Sequence, residues 1–188
     1  MDFRFSEDFL EVLNLSRDEA LRTGWRNISP DHITLGILRR SGGKACRILE
    51  SLGISLSDFK ERLDAAVFVS EQVPWEEREQ INLHGSALSL LQHASLEAAR
   101  CASPELKPLH YLLALCRMGG SCSHDYLKEH GIELRTLVEA SGLEWESYGL
   151  GSPAKREKET AAQDCEALAA AIEKRIREGY TTDNPHVS

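Results

Sequence analysis

The sequence predicts an all-α protein in which one four-helix unit occurs twice in tandem and a C-terminal helical extension follows. Three observations support this prediction. A pattern of residues recurs at one fixed offset over more than fifty positions. Leu and Ala dominate the apolar residues, which make up 41% of the chain, and both favour helices over strands. Ser, Pro and Gly stand where short helices are expected to start and end.

The offset of the repeat is 78 positions, which carries Pro30 onto Pro108 and His32 onto His110 without a gap. A repeat of this length marks a duplicated structural unit, and duplicated helical units more often form scaffolds or binding surfaces than catalytic centres. The same shift aligns further pairs: Leu10/Leu88, Leu13/Leu91, Glu19-Ala20/Glu97-Ala98, Arg22/Arg100, Leu35/Leu113, Arg39/Arg117, Gly42/Gly120, Leu49/Leu127, Gly53-Ile54/Gly131-Ile132 and Leu56/Leu134.

The first two helices of repeat one, residues 3–67, have clear start and stop signals. Ser6 is placed to cap the first helix, acidic residues follow in its first turn, and Gly24 ends it. The second helix begins at Ser29-Pro30-Asp31, because proline suits the first helical position, and it stops at Ser41.

The other two helices of repeat one are shorter. A third helix is predicted from Lys44 to Leu52, and the fourth follows a capping box at Ser55 and runs through Val67. Residues 68–82, which include Trp75, are predicted to be a polar loop that links the repeats.

Repeat two is predicted over residues 83–142, so that residues 1–142 form one double-repeat domain. Its second helix starts at Lys107-Pro108 without a Ser cap, and we expect that helix to be less well capped at its first turn.

After residue 142 the composition changes to a charged linker. One helix is predicted at about 160–178, where Leu168, Ile172 and Ile176 form a narrow apolar stripe. This helix is either docked on the domain, waiting for a partner, or a frayed solvated helix. The remaining tail, residues 180–188, is expected to be disordered.

The composition excludes several function classes. The net charge is −8 and no Lys/Arg stripe occurs, which argues against nucleic-acid binding. The residues from Met1 to Asp8 lack the pattern expected of a signal peptide, and no apolar run is long enough for a membrane span. The cysteines are odd in number and irregularly spaced, as expected for free thiols in a cytoplasmic protein: Cys46, Cys101, Cys116, Cys122 and Cys165.

Repeat one carries the residues of a known family. Ile28-Ser29-Pro30-Asp31-His32-Ile33-Thr34-Leu35-Gly36-Ile37-Leu38, with the flanking Phe5-Ser6-Glu7 and Leu49 to Ile54, resembles the N-terminal repeat domain of Clp-type AAA+ unfoldases. The resemblance covers residues 3–142 and is weaker in repeat two. It implies two repeats around a pseudo-twofold axis, and a domain that recruits client or adaptor proteins for an ATPase. The phosphate-binding sequence G-x-x-x-x-G-K-[ST] is absent, so the sequence indicates a freestanding N-domain that cannot hydrolyse nucleotide by itself.

The resemblance also implies a candidate polar anchor. Some relatives bind phosphoarginine at one site per repeat, through a hydroxyl near the start of the first helix and an acid before the repeated His. Repeat one offers Ser6 and Asp31 for this role, whereas repeat two offers His84 and Leu109, a degenerate pair without the acid. The alternative is that Ser6 and Asp31 only stabilise helix starts.

Other candidates for chemistry are weaker. His32 and His110 are expected to be structural, and no cysteine spacing fits a zinc site, so no cofactor or metal is predicted. The rival enzyme hypothesis is a thiol nucleophile at Cys122 with His124. Trp25 and Trp75 are candidates for contact with a partner, although packing within the domain is the alternative for each.

Together these observations predict a non-catalytic protein-binding module of Clp-type protein quality control, acting as adaptor, decoy or accessory subunit. A module that has diverged to an unrelated protein partner is the alternative.

Overall fold

The computed structural model describes residues 4–148 and Lys174. The chain divides into two units, residues 1–152 and 153–188. The predicted helix at 160–178, with Leu168, Ile172 and Ile176, therefore lies outside the described residues, as does the tail.

Repeat one contains the four predicted helices, and their local signals act as expected. Ser6 Oγ accepts a hydrogen bond from the Phe9 amide at 3.2 Å, and Gly24 ends the first helix in the left-handed conformation. The helices are α1 (Glu7–Thr23), α2 (Pro30–Arg40), α3 (Lys44–Ser51) and α4 (Leu56–Val67).

Repeat two has the same succession of helices. Lys107 supplies no side-chain cap, as predicted, but the imidazole of His110 compensates in part, because its Nδ1 accepts a hydrogen bond from the Lys107 amide at 3.0 Å. The helices are α5 (Gly85–Arg100), α6 (Pro108–Met118), α7 (Cys122–Glu129) and α8 (Leu134–Ala140).

Two short parallel strand pairs tie the repeats together and follow the duplication. Strand β1 (Arg4–Phe5) pairs with β4 (Glu105–Leu106), and β2 (Asn27–Ile28) pairs with β3 (Asn82–Leu83). In register, Arg4 lies opposite Glu105 and Asn27 opposite Asn82. The 78-residue shift that carries β1 onto β3 also carries β2 onto β4, so each pairing is the image of the other. This exchange is the signature of a pseudo-twofold axis between the repeats.

The two repeats share one apolar core. Phe9 is fully buried beside the ring of Tyr111, and Tyr111 Oη donates a hydrogen bond to the carbonyl of Pro30 at 2.7 Å, from repeat two to repeat one. Phe59 and Tyr126 stack across the repeats with ring centroids 4.3 Å apart. Neither repeat could bury these rings alone.

The duplication also repeats a buried ion-pair cluster. Glu19 is almost fully buried and accepts hydrogen bonds from Arg22 and Arg39, at 2.6 and 3.1 Å. In repeat two, Arg100 and Arg117 both bind Glu97 at 2.6 Å, through one oxygen of its carboxylate. One Glu and two Arg residues thus form the same cluster in each repeat. The cluster joins α1 to α2 in repeat one and α5 to α6 in repeat two.

The segment between the repeats differs from the predicted polar loop. Residues Trp75–Gln80 form a 3-10 helix that packs on α1. Arg78 is buried and binds Asp18 at 2.5 Å, and Glu79 lies 3.4 Å from Arg17. The many charged residues of this segment suggested a solvated loop. Arg78 and Glu79 instead form ion pairs with residues of α1 that lie about sixty positions earlier. No local sequence pattern reveals such pairs.

Among residues 4–148 and at Lys174, no helix has the length and apolar character needed to cross a membrane.

Candidate functional site

The carboxylate of Asp31 forms a contact between the two repeats. It stands in the first turn of α2, and its carboxylate accepts hydrogen bonds from the Ser123 amide and hydroxyl, at 2.7 and 2.5 Å. A longer contact of 3.4 Å joins it to the amide of Cys122. These groups form the N-terminus of α7, where a carboxylate satisfies free amides and is favoured by the helix dipole. Asp31 thus stabilises the N-terminus of a helix in the other repeat.

We expect Asp31→Ala to lower the free energy of unfolding by about 1–2 kcal/mol, because the α7 amides and the Ser123 hydroxyl would lose their acceptor. Asp125→Ala is the matched control, since this acid lies in the first turn of the same helix with a side chain that is 67% exposed. Urea unfolding would measure both. Equal effects of the two substitutions would contradict the role assigned to Asp31.

Ser6 lies far from Asp31. Arg40, at the end of α2, binds Asp8 and Glu11 at the start of α1, so the two helices run antiparallel. A helix rises about 1.5 Å per residue, which separates Asp31 from the Arg40 end of α2 by roughly 14 Å. The resemblance implied that Ser6 and Asp31 contribute to one site. The structure instead places the two residues apart.

The backbone amide of Ser6 binds the other repeat, whereas its hydroxyl caps α1. Its amide donates to the carbonyl of Leu106 at 3.0 Å, which places it at the start of α6 near Leu109. His84 is the symmetric counterpart, since its amide donates to the carbonyl of Ile28 at 2.9 Å, close to the start of α2. The capping residue of the first helix in one repeat thus lies beside the start of the second helix in the other, because the strand pairs exchange between the repeats.

A cavity of about 220 Å³ is lined by residues of both repeats, among them Asp8 of α1 and Leu109 of α6, and we call it the inter-repeat cavity. Its polar wall carries four charged side chains and a buried imidazole, and the N-terminus of α3 forms one side. The lining residues are Asp8, Val12, Ile37, Arg40, Gly43, Lys44, Ala45, Cys46, Ser103, Lys107, Pro108, Leu109 and His110. The equivalent region beside Asp31 is closed, because the Asp31 carboxylate accepts hydrogen bonds from the N-terminus of α7.

The two repeated histidines are buried and neutral. His32 Nδ1 accepts a hydrogen bond from the Ser29 amide at 3.0 Å, and its Nε2 lies 2.9 Å from the hydroxyl of Thr23. Burial, and secondarily the charge of Arg22, lowers the pKa of His32 to about 4. Burial, then Lys107 and Lys44, does the same to the pKa of His110. Both imidazoles are therefore uncharged, and each accepts a hydrogen bond from the backbone amide at the start of its helix.

The second candidate site is an exposed apolar surface on the connection between the repeats. We call Trp25, Phe68, Val69 and Trp75 the linker surface. Phe68 and Trp75 are 64% and 65% exposed, and Trp25 and Val69 are about 40% exposed. Single exposed apolar residues are ordinary on protein surfaces, but such a cluster marks contact sites.

A groove of about 290 Å³ lies within the linker surface. Its lining residues are Gly24, Trp25, Arg26, Val69, Glu71, Gln72 and Val73. The Trp25 indole N–H donates to the carbonyl of Val67 at 2.5 Å, and the Val69 amide donates to the carbonyl of Thr23 at 2.9 Å. These bonds hold the indole in place while leaving much of its ring accessible, which is how a binding residue is preorganised.

Trp75 projects from the 3-10 helix and is also held in place. The guanidinium of Arg78 stands 5.3 Å from the ring centroid, a cation–π distance. Arg78 is itself fixed by Asp18, and Glu77 forms an ion pair with Arg26, next to Trp25. The sequence marked both tryptophans as candidates, but it missed Phe68 and Val69. Two consecutive apolar residues directly after the predicted end of α4 could have indicated an exposed contact surface.

The thiol-enzyme hypothesis finds no support in the geometry. Burial, and then the nearby Asp31 carboxylate, raises the pKa of the Cys122 thiol, which opposes formation of a nucleophilic thiolate. The imidazole of His124 contacts Asp125 at 3.2 Å, and no hydrogen bond joins His124 to Cys122 among the described contacts. In the described part of the chain, no three His, Cys, Asp or Glu side chains are placed to hold a metal ion.

Comparison with known proteins gives one consistent result. The profile of the Clp repeat (R) N-terminal domain matches residues 4–130. The chain is 31% identical to the chaperone protein ClpB of Oceanobacillus iheyensis over 131 residues, and 28% identical over the same length to the negative regulator of genetic competence ClpC/MecB of Bacillus subtilis. Each match covers 70% of this chain and 16% of the relative, so the chain corresponds to only a small part of these proteins.

Solved structures agree on the fold. The N-terminal domain of the chaperone ClpD from Arabidopsis thaliana superposes with a TM-score of 0.58 at 17% identity, covering 73% of this chain and 94% of that domain. Residues 4–130, which the family profile matches, include every lining residue of the inter-repeat cavity and every residue of the linker surface. By sequence and by fold, this chain belongs to the Clp repeat N-terminal domain family.

Proposed function

We propose that this protein is a non-catalytic protein-binding module of Clp-type protein quality control, and that it recognises client or adaptor proteins through the linker surface. The observation that carries the proposal is the linker surface itself, in which four apolar side chains are exposed and two of them, Trp25 and Val69, line a groove. Family membership supports protein binding, because the relatives that share this domain are named as chaperones and as subunits of a protease.

The charges around the linker surface indicate the chemistry of the partner. Glu71 lines the groove, and Glu76 follows Trp75 on the exposed side of the 3-10 helix. Acidic residues beside exposed aromatic rings favour a segment that combines apolar side chains with Lys or Arg, because the cations can meet both the carboxylates and the ring faces. We therefore propose a client segment that is apolar, extended and flanked by basic residues.

The role relative to an ATPase is part of the same proposal. The module would act as an adaptor, a decoy or an accessory subunit, in which the client is held by the linker surface and passed on by a partner. The predicted stripe of Leu168, Ile172 and Ile176 is the proposed contact to that partner.

Phosphoarginine recognition stays a prediction, and the geometry changes its form. Asp31 would have to release the N-terminus of α7 before it could bind a guanidinium group. The capping residue that the strand pairing places near the start of α2 is His84 rather than Ser6, because the His84 amide donates to the carbonyl of Ile28. A phosphoarginine site at Asp31 would thus be built from both repeats.

The linker surface can be tested with a Phe68→Ser/Trp75→Ser double variant of the full chain. The probes are fluorescent peptides with an apolar centre flanked by Lys and Arg, or by Asp and Glu. We expect the basic peptides to bind more tightly and the double variant to lose at least about tenfold in affinity, since aromatic anchors contribute about 2 kcal/mol or more. Anisotropy titration measures this loss.

Leu96→Ser/Met118→Ser is the matched control, because it removes two exposed apolar side chains from α5 and α6. Equal losses in both double variants would refute the linker surface as the binding site. Affinity capture of partners from native extract would test the wider role. Recovery of a Clp-type ATPase supports it, whereas one unrelated partner would support the diverged module instead.

A further inference from the structure

The charged side chains that line the inter-repeat cavity are mainly cationic. Lys44, Lys107 and Arg40 line it with three positive charges, and Asp8 is the acid among the lining residues. Asp8 is bound by Arg40 at 2.5 Å, and Glu11 binds the same guanidinium at 2.7 Å from outside the cavity. Lys44 has one long contact, 3.4 Å to a backbone carbonyl. The unneutralised charge in the cavity therefore belongs to the two lysines.

The N-terminus of α3 supplies further donors. Gly43 offers no capping side chain, and the first turn of α3 contains no acid. Within residues 4–148 no side chain accepts a hydrogen bond from the amides of residues 44–46, although Ala45 and Cys46 are buried. Buried amides are nearly always paired with protein, water or ligand, so these groups require an acceptor from the cavity.

His110 provides an independent indication of a missing acceptor. Its side chain is 97% buried, since 3% is exposed, and it lines the cavity. Because Nδ1 accepts the Lys107 amide hydrogen, the neutral ring carries its proton on Nε2, which has no hydrogen-bond partner among the described residues. In repeat one, Thr23 accepts this bond from His32. The equivalent residue in repeat two is Cys101.

Repeat one also shows what fills the equivalent space. There, Trp25 packs edge-on against His32 with ring centroids 5.8 Å apart, whereas the residue at its place in repeat two is the small Ser103. The carboxylate of Asp31 binds the N-terminus of α7, whereas the equivalent residue beside α3 is the apolar Leu109. Two substitutions between the repeats have thus removed a ring and a carboxylate from the same region.

We propose that the inter-repeat cavity binds a carboxylate group of an acidic protein segment, in the place that Asp31 fills in the other repeat. The bound oxygens accept hydrogen bonds from the α3 amides and meet the charges of Lys44 and Lys107, while His110 Nε2 lines the deeper end. The volume of about 220 Å³ suits one side chain or a chain terminus rather than a larger ligand. This site is separate from the linker surface and does not depend on it.

The proposal is tested by NMR titration of the full chain with the peptides acetyl-Glu-Gly-Glu-amide and acetyl-Gln-Gly-Gln-amide. We expect only the acidic peptide to shift the amide signals of residues 44–46 and the imidazole signals of His110. Lys44→Gln/Lys107→Gln should weaken this binding by about tenfold or more, because each charge-assisted contact contributes over 1 kcal/mol. Lys60→Gln/Lys128→Gln, which removes two lysines outside the cavity, should leave it unchanged.

Leu109→Asp is the sharpest variant, because it restores the internal carboxylate that repeat one uses. We expect it to raise the unfolding midpoint and to abolish the shifts caused by the acidic peptide. Retained binding in Leu109→Asp, equal weakening in both lysine pairs, or no shift at residues 44–46 would overturn the proposal. Inorganic phosphate that shifts the same signals at lower concentration than the peptide would overturn the assignment to a carboxylate.

Discussion

Acidification from pH 7 to pH 4 is expected to unfold this protein cooperatively, with His32 and His110 as the main cause. The pKa of each imidazole is lowered from 6.5 to about 4 in the folded state, so the native protein holds the neutral ring. The unfolded chain therefore binds protons first. The free energy of unfolding falls as the pH drops through the interval from about 6.5 to about 4.

The size of the effect follows from the shift. A displacement of this size corresponds to about 3 kcal/mol per imidazole below pH 4, and domains of this kind have total stabilities of about 5–15 kcal/mol. Two such losses would remove a large part of that stability. The physical cause is mainly burial, because a charged ring at either position would lose its hydration without gaining an acid as partner.

Gln is the informative substitution at both positions, since its side chain can still accept a hydrogen bond from the amide of the capping residue but does not titrate. Urea unfolding at a series of pH values should show a flatter dependence for His32→Gln/His110→Gln than for the wild type. His93→Gln, on α5, is the control and should keep the wild-type slope. An unchanged slope in the double variant would show that other groups cause the acid unfolding.

Gly24→Ala is expected to lower the free energy of unfolding by about 3 kcal/mol or more. Gly24 has φ of +86°, and a Cβ atom there would lie 2.2 Å from the carbonyl oxygen of Glu71. Left-handed backbone costs a non-glycine residue about 1–2 kcal/mol, and the contact with a backbone oxygen adds overpacking of about 1–3 kcal/mol. The clash would push the segment that follows α4 away from α1 and disturb the groove of the linker surface.

Gly53→Ala separates these two contributions. Gly53 has nearly the same φ, +83°, but no atom lies within 4 Å of the position of its Cβ. Only the backbone cost of about 1 kcal/mol is therefore expected in Gly53→Ala. At the position equivalent to Gly24 in repeat two, Ala102 adopts a positive φ of 50°, so alanine is tolerated there. Equal losses in both glycine variants, measured by urea unfolding, would show that the segment after α4 yields to the methyl group.

The local sequence determined the helices and the duplication. Ser6, Gly24 and Ser55 mark helix ends because caps satisfy backbone groups within a few residues, so their effect is readable without knowledge of the fold. The fixed offset of the repeats predicted two equivalent units, and the family resemblance predicted the axis between them. The exception was the connection between the repeats, where pairing of Arg78 with Asp18 turns a charged segment into a packed 3-10 helix.

The tertiary structure alone decided how the candidate site residues are grouped. The family resemblance implied one site per repeat, yet the strand pairs exchange, so the Ser6 amide binds Leu106 near the start of α6 and Asp31 binds α7 of the other repeat. These contacts join residues separated by about ninety positions. Such pairings depend on which faces the whole domain buries, and no periodicity or spacing encodes that choice. For the same reason, the sequence could nominate Trp25 and Trp75, but only the tertiary structure shows that both are exposed and that Trp25 lines a groove.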